Sequence, residues 1–324
     1  MTIADLPTGS DALDCEVVGR TVTYDGVGVA VPEPGEAVTV SALSVDGSDH
    51  GFTLQVAADG TISYELPGSV VDVDVSGADT LDSPRQPAYE TSDLTHEGDS
   101  HNADAPDAPP EGETEVAEVD AAVAPGACSD GTYKTLDLKE YGTYNWYVGD
   151  GGMPGALSRS AASVAFRDAV GNIVGMYNNC GLTDTVTAQA SYKGFTDYEA
   201  DISSSGTCKG RDGLSTWDAG DLPSNNFAIS CSWSYVYEGK KNDLREGDVR
   251  YNTTDHDFTD SPTSSCYRKV DVRGLGTHEA GHVFGLADLY GDDDNLTMYG
   301  ISTYCTTKAR TLGLGDVRGL RSIY

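Results

Sequence analysis

Two histidines and a glutamate stand in one short stretch of the chain, THEAGHVFGLAD over residues 277–288. His278 and His282 are four residues apart, so a helix would place both imidazoles on one face, one turn apart, where they can bind one metal ion. Glu279 would lie beside that ion, where a carboxylate can take a proton from a water held by the metal. The spacing predicts a hydrolytic metal centre with Glu279 as its general base.

A hydrolytic zinc site needs a third protein ligand and an open position for water. No histidine follows His282. Gly285, three residues further on, can end the helix in the left-handed conformation and turn the chain back, which would bring Asp288 towards the ion. Asp292–Asp294 are acidic competitors close by. We therefore predict His278, His282 and Asp288 as metal ligands and Zn²⁺ as the ion, because two imidazoles and one carboxylate suit zinc.

Met298 follows this stretch, in the sequence LTMYG. HExxHxxGxxD with a downstream methionine resembles the metzincin zinc endopeptidases. Within them, the aspartate in third place and the DLY sequence at 288–290 resemble snapalysin. EGDVRYN at 246–252 and LGDVRGLRSIY at 314–324 resemble the edge strand and the closing helix of the matrixins. The resemblance covers about residues 128–324.

The resemblance implies a twisted mixed sheet, an active-site helix, a Met-turn that packs beneath the ligands and a C-terminal helix. It also implies a zinc endopeptidase whose protein or peptide substrate lies extended along Gly247–Asn252, added to the sheet edge by backbone hydrogen bonds. Matrixins carry a third histidine where this chain has Asp288, and a carboxylate cancels part of the metal's charge, so a bound water should be less acidified. Tyr290 is expected to pack, with a hydrogen bond to the oxyanion as the alternative.

Two other functions stay open. A non-catalytic adhesion or binding protein with a degenerate metalloprotease fold would be favoured by loss of the glutamate or of a ligand, and none of them is lost. A zinc aminopeptidase would carry the same ligands and cleave only chain ends. Asp292–Asn295 and Asp255–Asp257 could also hold a structural Ca²⁺ or a second Zn²⁺, although solvated acidic loops are the commoner interpretation in so acidic a chain.

The charge of the chain argues against several classes of partner. Its 324 residues carry 52 acidic and 20 basic side chains, a formal net charge of −32 with a pI near 4.2. Nucleic acid and anionic membrane surfaces would repel such a protein, so neither is an expected partner. No run of about 18 apolar residues is present, which argues against a membrane-spanning helix. We expect a monomer that acts on proteins or peptides.

The sequence divides into three parts and predicts an α+β fold. Residues 1–66 contain short strand-like runs with a hairpin signal at 58–60, and we expect a small all-β module, either a removable pro-region or a permanent domain. Residues 67–127 are rich in Asp, Glu, Pro and Ala and are expected to be a disordered acidic linker. Residues 128–324 mix strand and helix patterns and are expected to be the catalytic domain. Helical periodicity is present at 155–176, from about 271, and near 315–323.

Six of the seven cysteines lie after residue 127, outside any CxxC pattern. In this arrangement they indicate disulfides and an oxidising compartment. Their order along the chain suggests Cys180–Cys208 and Cys231–Cys266 as pairs. The first residues show neither the basic region nor the apolar run of a signal peptide, yet the cysteines favour a secreted protein with a missing or atypical leader.

Overall fold

The computed structural model describes residues 1–66 and 126–324, and the predicted linker at 67–127 lies almost wholly outside the described residues. Over the described residues the chain combines mixed sheets with three α-helices, which confirms the α+β prediction. The helices are α1 (Arg159–Val174), α2 (Val272–Val283) and α3 (Leu314–Ile323). The strands are β1 (Thr21–Tyr24), β2 (Val27–Ala30), β3 (Glu36–Ser44), β4 (Phe52–Val56), β5 (Ile62–Glu65), β6 (Leu138–Lys139), β7 (Tyr144–Val148), β8 (Ala190–Phe195), β9 (Thr207–Cys208), β10 (Ser215–Gly220), β11 (Asn226–Tyr235), β12 (Asn242–Asn252), β13 (Asp257–Thr259) and β14 (Lys269–Asp271).

One large sheet runs through both described parts of the chain, in the order β5-β4-β3-β11-β12-β10-β7-β8, with β6 beside β12. β11 is antiparallel to both of its neighbours, whereas β12, β10, β7 and β8 are parallel to one another. β3 pairs with β11 from Glu36 opposite Tyr235 to Ser44 opposite Asn226. β1 and β2 form a smaller sheet with β9. The N-terminal strands therefore share both of their sheets with strands of the C-terminal part.

β12 is an interior strand of the large sheet. It pairs with β11 on one side and with β10 on the other, where Val249 lies opposite Trp217. The prediction that a substrate adds to Gly247–Asn252 as an edge strand is therefore wrong, because both sides of this strand are already paired within the sheet. The second side is closed by β10, whose sequence STWDAG consists largely of small and acidic residues that are weak strand signals.

The two long helices pack closely together. α1 begins after Ser158, whose hydroxyl accepts a hydrogen bond from the Ala161 N–H at 3.2 Å. A Cβ built at Gly276 of α2 would lie 2.9 Å from the Cβ of Ala169 in α1. Glycine at this position allows the two helix backbones to approach, and it fixes α2 against the helix that covers the sheet.

Aromatic side chains fill the core between the helices and the sheet. Phe166 stacks on Tyr251 with ring centroids 5.3 Å apart and lies 5.4 Å from Trp217. Trp217 Nε1 donates a hydrogen bond to the Tyr144 hydroxyl at 2.9 Å, so its polar end is satisfied. The Tyr251 hydroxyl donates to the Val272 carbonyl at 3.1 Å. The core thus also holds the first turn of α2.

Three disulfides form, as predicted, and they fit an oxidising environment. The pairs are Cys128–Cys180, Cys208–Cys231 and Cys266–Cys305, with Cα–Cα distances of 5.2, 5.7 and 5.7 Å. Both suggested pairings are wrong, because Cys208 of β9 and Cys231 of β11 are buried in one core and bond to each other. Cys15 is free and exposed. None of the helices in the described residues is both long and apolar enough to cross a membrane.

Candidate metal centre

α2 carries the two histidines and the glutamate of the predicted centre, and Asp271 determines where it begins. The Asp271 carboxylate accepts a hydrogen bond from the Gly274 N–H at 2.8 Å and suits the positive end of the helix dipole. Arg310 donates two further hydrogen bonds of 2.6 and 2.7 Å to it. His278, Glu279 and His282 follow inside the helix, and all three side chains are buried.

The chain turns back after α2 at the predicted glycine. Gly285 has φ +90°, and a Cβ there would lie 2.4 Å from the Leu138 carbonyl oxygen, so only glycine fits without strain. The turn places Asp288 Oδ1 3.1 Å from His278 Nε2 and 3.5 Å from His282 Nε2. The structure therefore brings the three predicted ligands together.

Hydrogen bonds to the backbone fix which nitrogen of each imidazole faces Asp288. His278 Nδ1 donates to the Thr297 carbonyl at 2.9 Å, and His282 Nδ1 donates to the Leu286 carbonyl at 3.0 Å. In neutral imidazoles this leaves a lone pair on each Nε2, and the two Nε2 atoms are only 3.1 Å apart.

Two lone pairs this close repel unless a cation lies between them. Ligand atoms about 2.0–2.2 Å from a tetrahedral zinc ion lie about 3.3–3.6 Å from one another. The three separations in this centre, 3.1, 3.1 and 3.5 Å, are close to that geometry. The donor set of two neutral imidazoles and one carboxylate therefore fits the predicted ion.

Glu279 is fully buried, and within residues 1–66 and 126–324 neither of its carboxylate oxygens makes a hydrogen bond of normal geometry. Burial raises the pKa of this carboxyl above its ordinary value, while His282 and His278 act in the opposite direction. Leaving a buried carboxylate without partners is costly unless something else in the site uses it. Its position next to the ligand cluster is the one expected for a proton acceptor.

The charges of the cluster depend on one another. Burial alone would raise the pKa of Asp288, but His282 and His278 outweigh it and hold that pKa well below its usual range. Burial alone would lower the pKa of His282, but Asp288 and Glu279 raise it to about 9. Both shifts show that this pocket favours positive charge next to the carboxylates. A divalent cation would supply such a charge.

Met298 lies beneath the centre, as the resemblance implies. It is buried, and a Cβ built at Gly281 would lie 2.3 Å from its sulfur. Glycine on this face of α2 is therefore what lets the methionine pack directly under the helix turn between the two histidines. The contact supports packing as the role of Met298.

Asp316 on α3 helps to position the metal centre through the backbone next to it, and the sequence motifs did not predict this role. Its buried carboxylate accepts hydrogen bonds from the N–H groups of Thr297 and Met298 at 2.9 and 3.1 Å. Thr297 is the residue whose carbonyl orients His278. The available signal was the Gly-Asp pair at the start of the closing helix, noted only as part of the matrixin resemblance.

Tyr290 packs, in agreement with the expectation. A Cβ at Gly300 would lie 2.4 Å from the Tyr290 ring, so the ring rests on the Gly300 backbone. Burial raises the pKa of its hydroxyl, which makes no hydrogen bond within the described residues. Nothing in these contacts directs the hydroxyl to a substrate.

Within the described residues, two groups bring three potential ligand atoms within 4.8 Å of one another. One is the centre described above. The other is Asp201, Glu246 and Asp248, where Glu246 and Asp248 accept hydrogen bonds from backbone N–H groups in β10 and the loop before it. The predicted Ca²⁺ candidates Asp292–Asn295 and Asp255–Asp257 are not among these groups.

Two cavities flank the ligand cluster. The larger, about 310 Å³, lies beside His278, and its mixed walls include the apolar Leu275, Leu296 and Ile301 and the polar Thr297 and Thr303. The smaller, about 40 Å³, lies beside Asp288. An extended chain crossing the centre would pass from one cavity to the other.

Comparison of the sequence with models of known protein families finds no matching family, and comparison with curated proteins finds no matching relative. The resemblance to the metzincins therefore depends on the motif residues alone.

Proposed function

We propose that the protein is a zinc-dependent endopeptidase of the metzincin type that hydrolyses protein or peptide substrates. One observation carries the proposal: the Nε2 atoms of His278 and His282 and the Oδ1 atom of Asp288 converge within 3.5 Å, next to the buried carboxylate of Glu279. The three disulfides support a secreted protein, and the acidity supports neither nucleic acid nor membrane as a partner.

Each residue of the cluster has a defined role in this proposal. His278, His282 and Asp288 hold the ion, and their backbone partners keep the rings in the binding orientation. The ion, when bound, supplies Lewis acidity that acidifies a water and polarises the scissile carbonyl. Glu279 accepts the proton of the attacking water and passes it to the departing amine nitrogen. Glu279 is buried, which keeps bulk water from competing for that proton.

The cavities support a polypeptide as the substrate. The larger one has more than enough room for an amino-acid side chain and lies next to His278. A partly apolar pocket of this kind would hold a side chain of the substrate beside the scissile bond. Cavities lie beside both His278 and Asp288, which favours a substrate that extends on both sides of the scissile bond over one that is bound at a chain end.

The test is cleavage of casein and of an internally quenched peptide. Chelation of the metal should stop cleavage and added zinc should restore it, while Glu279→Gln should remain inactive with zinc present. Products released only from chain ends would identify an aminopeptidase instead. Zinc binding with no turnover of any substrate would favour the non-catalytic binding protein.

A further inference from the structure

One buried serine of β11 faces the helix that carries the metal ligands. Successive residues of a strand point to opposite faces of the sheet. Ile229 and Cys231 belong to the core that lies on the face away from the helices. Ser230, between them, therefore points to the helix side, and its partner Val249 in β12 belongs to the core that packs against the helices. Ser230 is buried on that side of the sheet.

α2 brings Glu279 over the same part of the sheet. Glu279 and Val283 are four residues apart, so they lie on one face of the helix. A Cβ built at Gly247 of β12 would lie 2.9 Å from Val283 Cγ1, so this face of the helix rests on the sheet. Gly247 lies opposite Ser232 of β11, two residues along the strand from Ser230. Glu279, one helical turn before Val283, is thereby directed towards β11.

The Ser230 hydroxyl and the Glu279 carboxylate are complementary and close to each other. Burial raises the pKa of Glu279, and the Ser230 hydroxyl is one of the groups that lower it, as a nearby donor does. Within residues 1–66 and 126–324, neither side chain makes a hydrogen bond of normal geometry. A hydroxyl can donate, whereas an ionised carboxylate can only accept. Each group can therefore remove the cost of leaving the other buried and unsatisfied.

The other donors near Glu279 are already engaged. The two metal-binding imidazoles donate through Nδ1 to backbone carbonyls. Burial raises the pKa of Tyr251, and the nearby Glu279 carboxylate adds to the rise, but the Tyr251 hydroxyl donates to the Val272 carbonyl at 3.1 Å. Of these donors in the described part of the chain, Ser230 alone has an uncommitted hydroxyl.

We propose that Ser230 is a positioning residue for the general base, an inference that rests on the proposed endopeptidase function. Its hydroxyl donates to one carboxylate oxygen of Glu279 and leaves the other oxygen free to accept the proton of the attacking water. Hydrogen bonds of catalytic groups are often poorly aligned in a free enzyme and tighten when the substrate binds. A carboxylate held in the reactive orientation raises kcat, and it does so without contributing to substrate binding.

Ser232 provides a matched control for a test by substitution. It lies on the same face of β11 as Ser230 and is similarly buried. Ser230→Ala should lower kcat for the quenched peptide at least about tenfold, because a hydrogen bond to a charged group is lost, while KM and zinc content stay within about twofold. Ser232→Ala should change each of these values by less than about threefold. Equal kcat values of the two variants would overturn the inference.

A second background separates positioning from a general structural effect. If Ser230 acts through the carboxylate, Ser230→Ala should change the residual kcat of the Glu279→Gln variant by less than about threefold. A loss of about tenfold in this background as well would contradict the inference, because the serine would then act through another group. Ser230→Thr keeps the hydroxyl and should restore most of the rate that Ser230→Ala loses. A threonine variant that unfolds like the parent but is as slow as Ser230→Ala would also contradict it.

Denaturant unfolding tests the contact without turnover. The free energy of unfolding is measured for the zinc-loaded parent, Ser230→Ala, Glu279→Gln and the double variant. A hydrogen bond between the two side chains makes the effects of the two substitutions non-additive. Non-additive effects in a protein that cleaves no peptide would support the contact and count against the proposed function. Additive effects would overturn the inference and leave the proposed function standing.

Discussion

The substitution Glu279→Gln separates the chemical role of this carboxylate from its structural cost. Loss of a general base slows a reaction by about 10²–10⁴-fold, which is about 2.7–5.5 kcal/mol in the barrier. Glu279 is also fully buried and makes no hydrogen bond of normal geometry in the part of the chain that the structure describes, so the neutral amide should relieve desolvation and stabilise the metal-free protein by about 1–3 kcal/mol. The variant should therefore be less active and more stable. If Glu279 had only a structural role, the substitution would lower both the activity and the stability.

The assay combines kcat/KM on the quenched peptide, zinc content by elemental analysis, and thermal unfolding without metal. Glu238→Gln, at an exposed position, is the matched control and should change none of the three. Activity of Glu279→Gln within about threefold of the parent would refute the assignment of the base. Loss of zinc together with activity would show that the substitution acts through metal binding and not through loss of the base.

Three further predictions concern the frame around the centre. Gly285→Ala should lower the free energy of unfolding by about 2–4 kcal/mol, because the added Cβ clashes with a carbonyl oxygen and the backbone at φ +90° is strained for alanine. Gly291→Ala, at φ +86° with open space around its Cβ, should lower it by about 1–2 kcal/mol. Denaturant unfolding of the two variants compares these values. Asp316→Asn should weaken zinc affinity about 10–100-fold in a competition titration, because the turn that orients His278 loses a carboxylate acceptor; unchanged affinity would remove Asp316 from the centre. Burial raises the pKa of Glu246 from 4.5 to about 7, so the folded state binds this proton more tightly than the unfolded state does. The contribution of the group to stability is therefore full below pH 4.5 and is lost as the pH rises to 7. Glu246→Gln should abolish that part of the decline in thermal unfolding between pH 5 and 8, and identical pH profiles would contradict the shift.

Local sequence signals were sufficient for the helices that carry and support the centre. The periodicity at 155–176 and near 315–323 predicts α1 and α3, and the HExxH spacing predicts that α2 bears both histidines on one face. The glycine turn that brings Asp288 back is also local, because it needs only a left-handed residue three positions after His282. Such signals act over a few residues, where helix geometry and backbone sterics dominate.

The pairing of strands depended on contacts that no local pattern encodes. β3 and β11 are about 190 residues apart in sequence, yet they pair along their whole length. Val38 and Val40 indicate a buried strand but not the strand beside it. For the same reason the sequence could not choose among cysteine pairings, and it left β12 as an edge that β10 in fact closes.

The positioning role of Asp316 could not be predicted from the sequence for a further reason. In the sequence, a buried aspartate that accepts hydrogen bonds from backbone N–H groups cannot be distinguished from the many exposed acidic residues of this chain. Only its location behind the Met298 turn gives it a function, and that location follows from the packing of α3. Because the protein has 52 acidic residues, the sequence does not indicate which few of them support the metal centre.

Zinc K-edge X-ray absorption on the full chain, with the metal content of the same sample, tests the central claim most directly. The account predicts one zinc per chain, with nitrogen and oxygen ligands at about 2.0–2.2 Å, scattering from two imidazoles, and loss of zinc in His282→Ala. Substoichiometric zinc, fewer than two imidazoles, or a sulfur ligand near about 2.3 Å would contradict it.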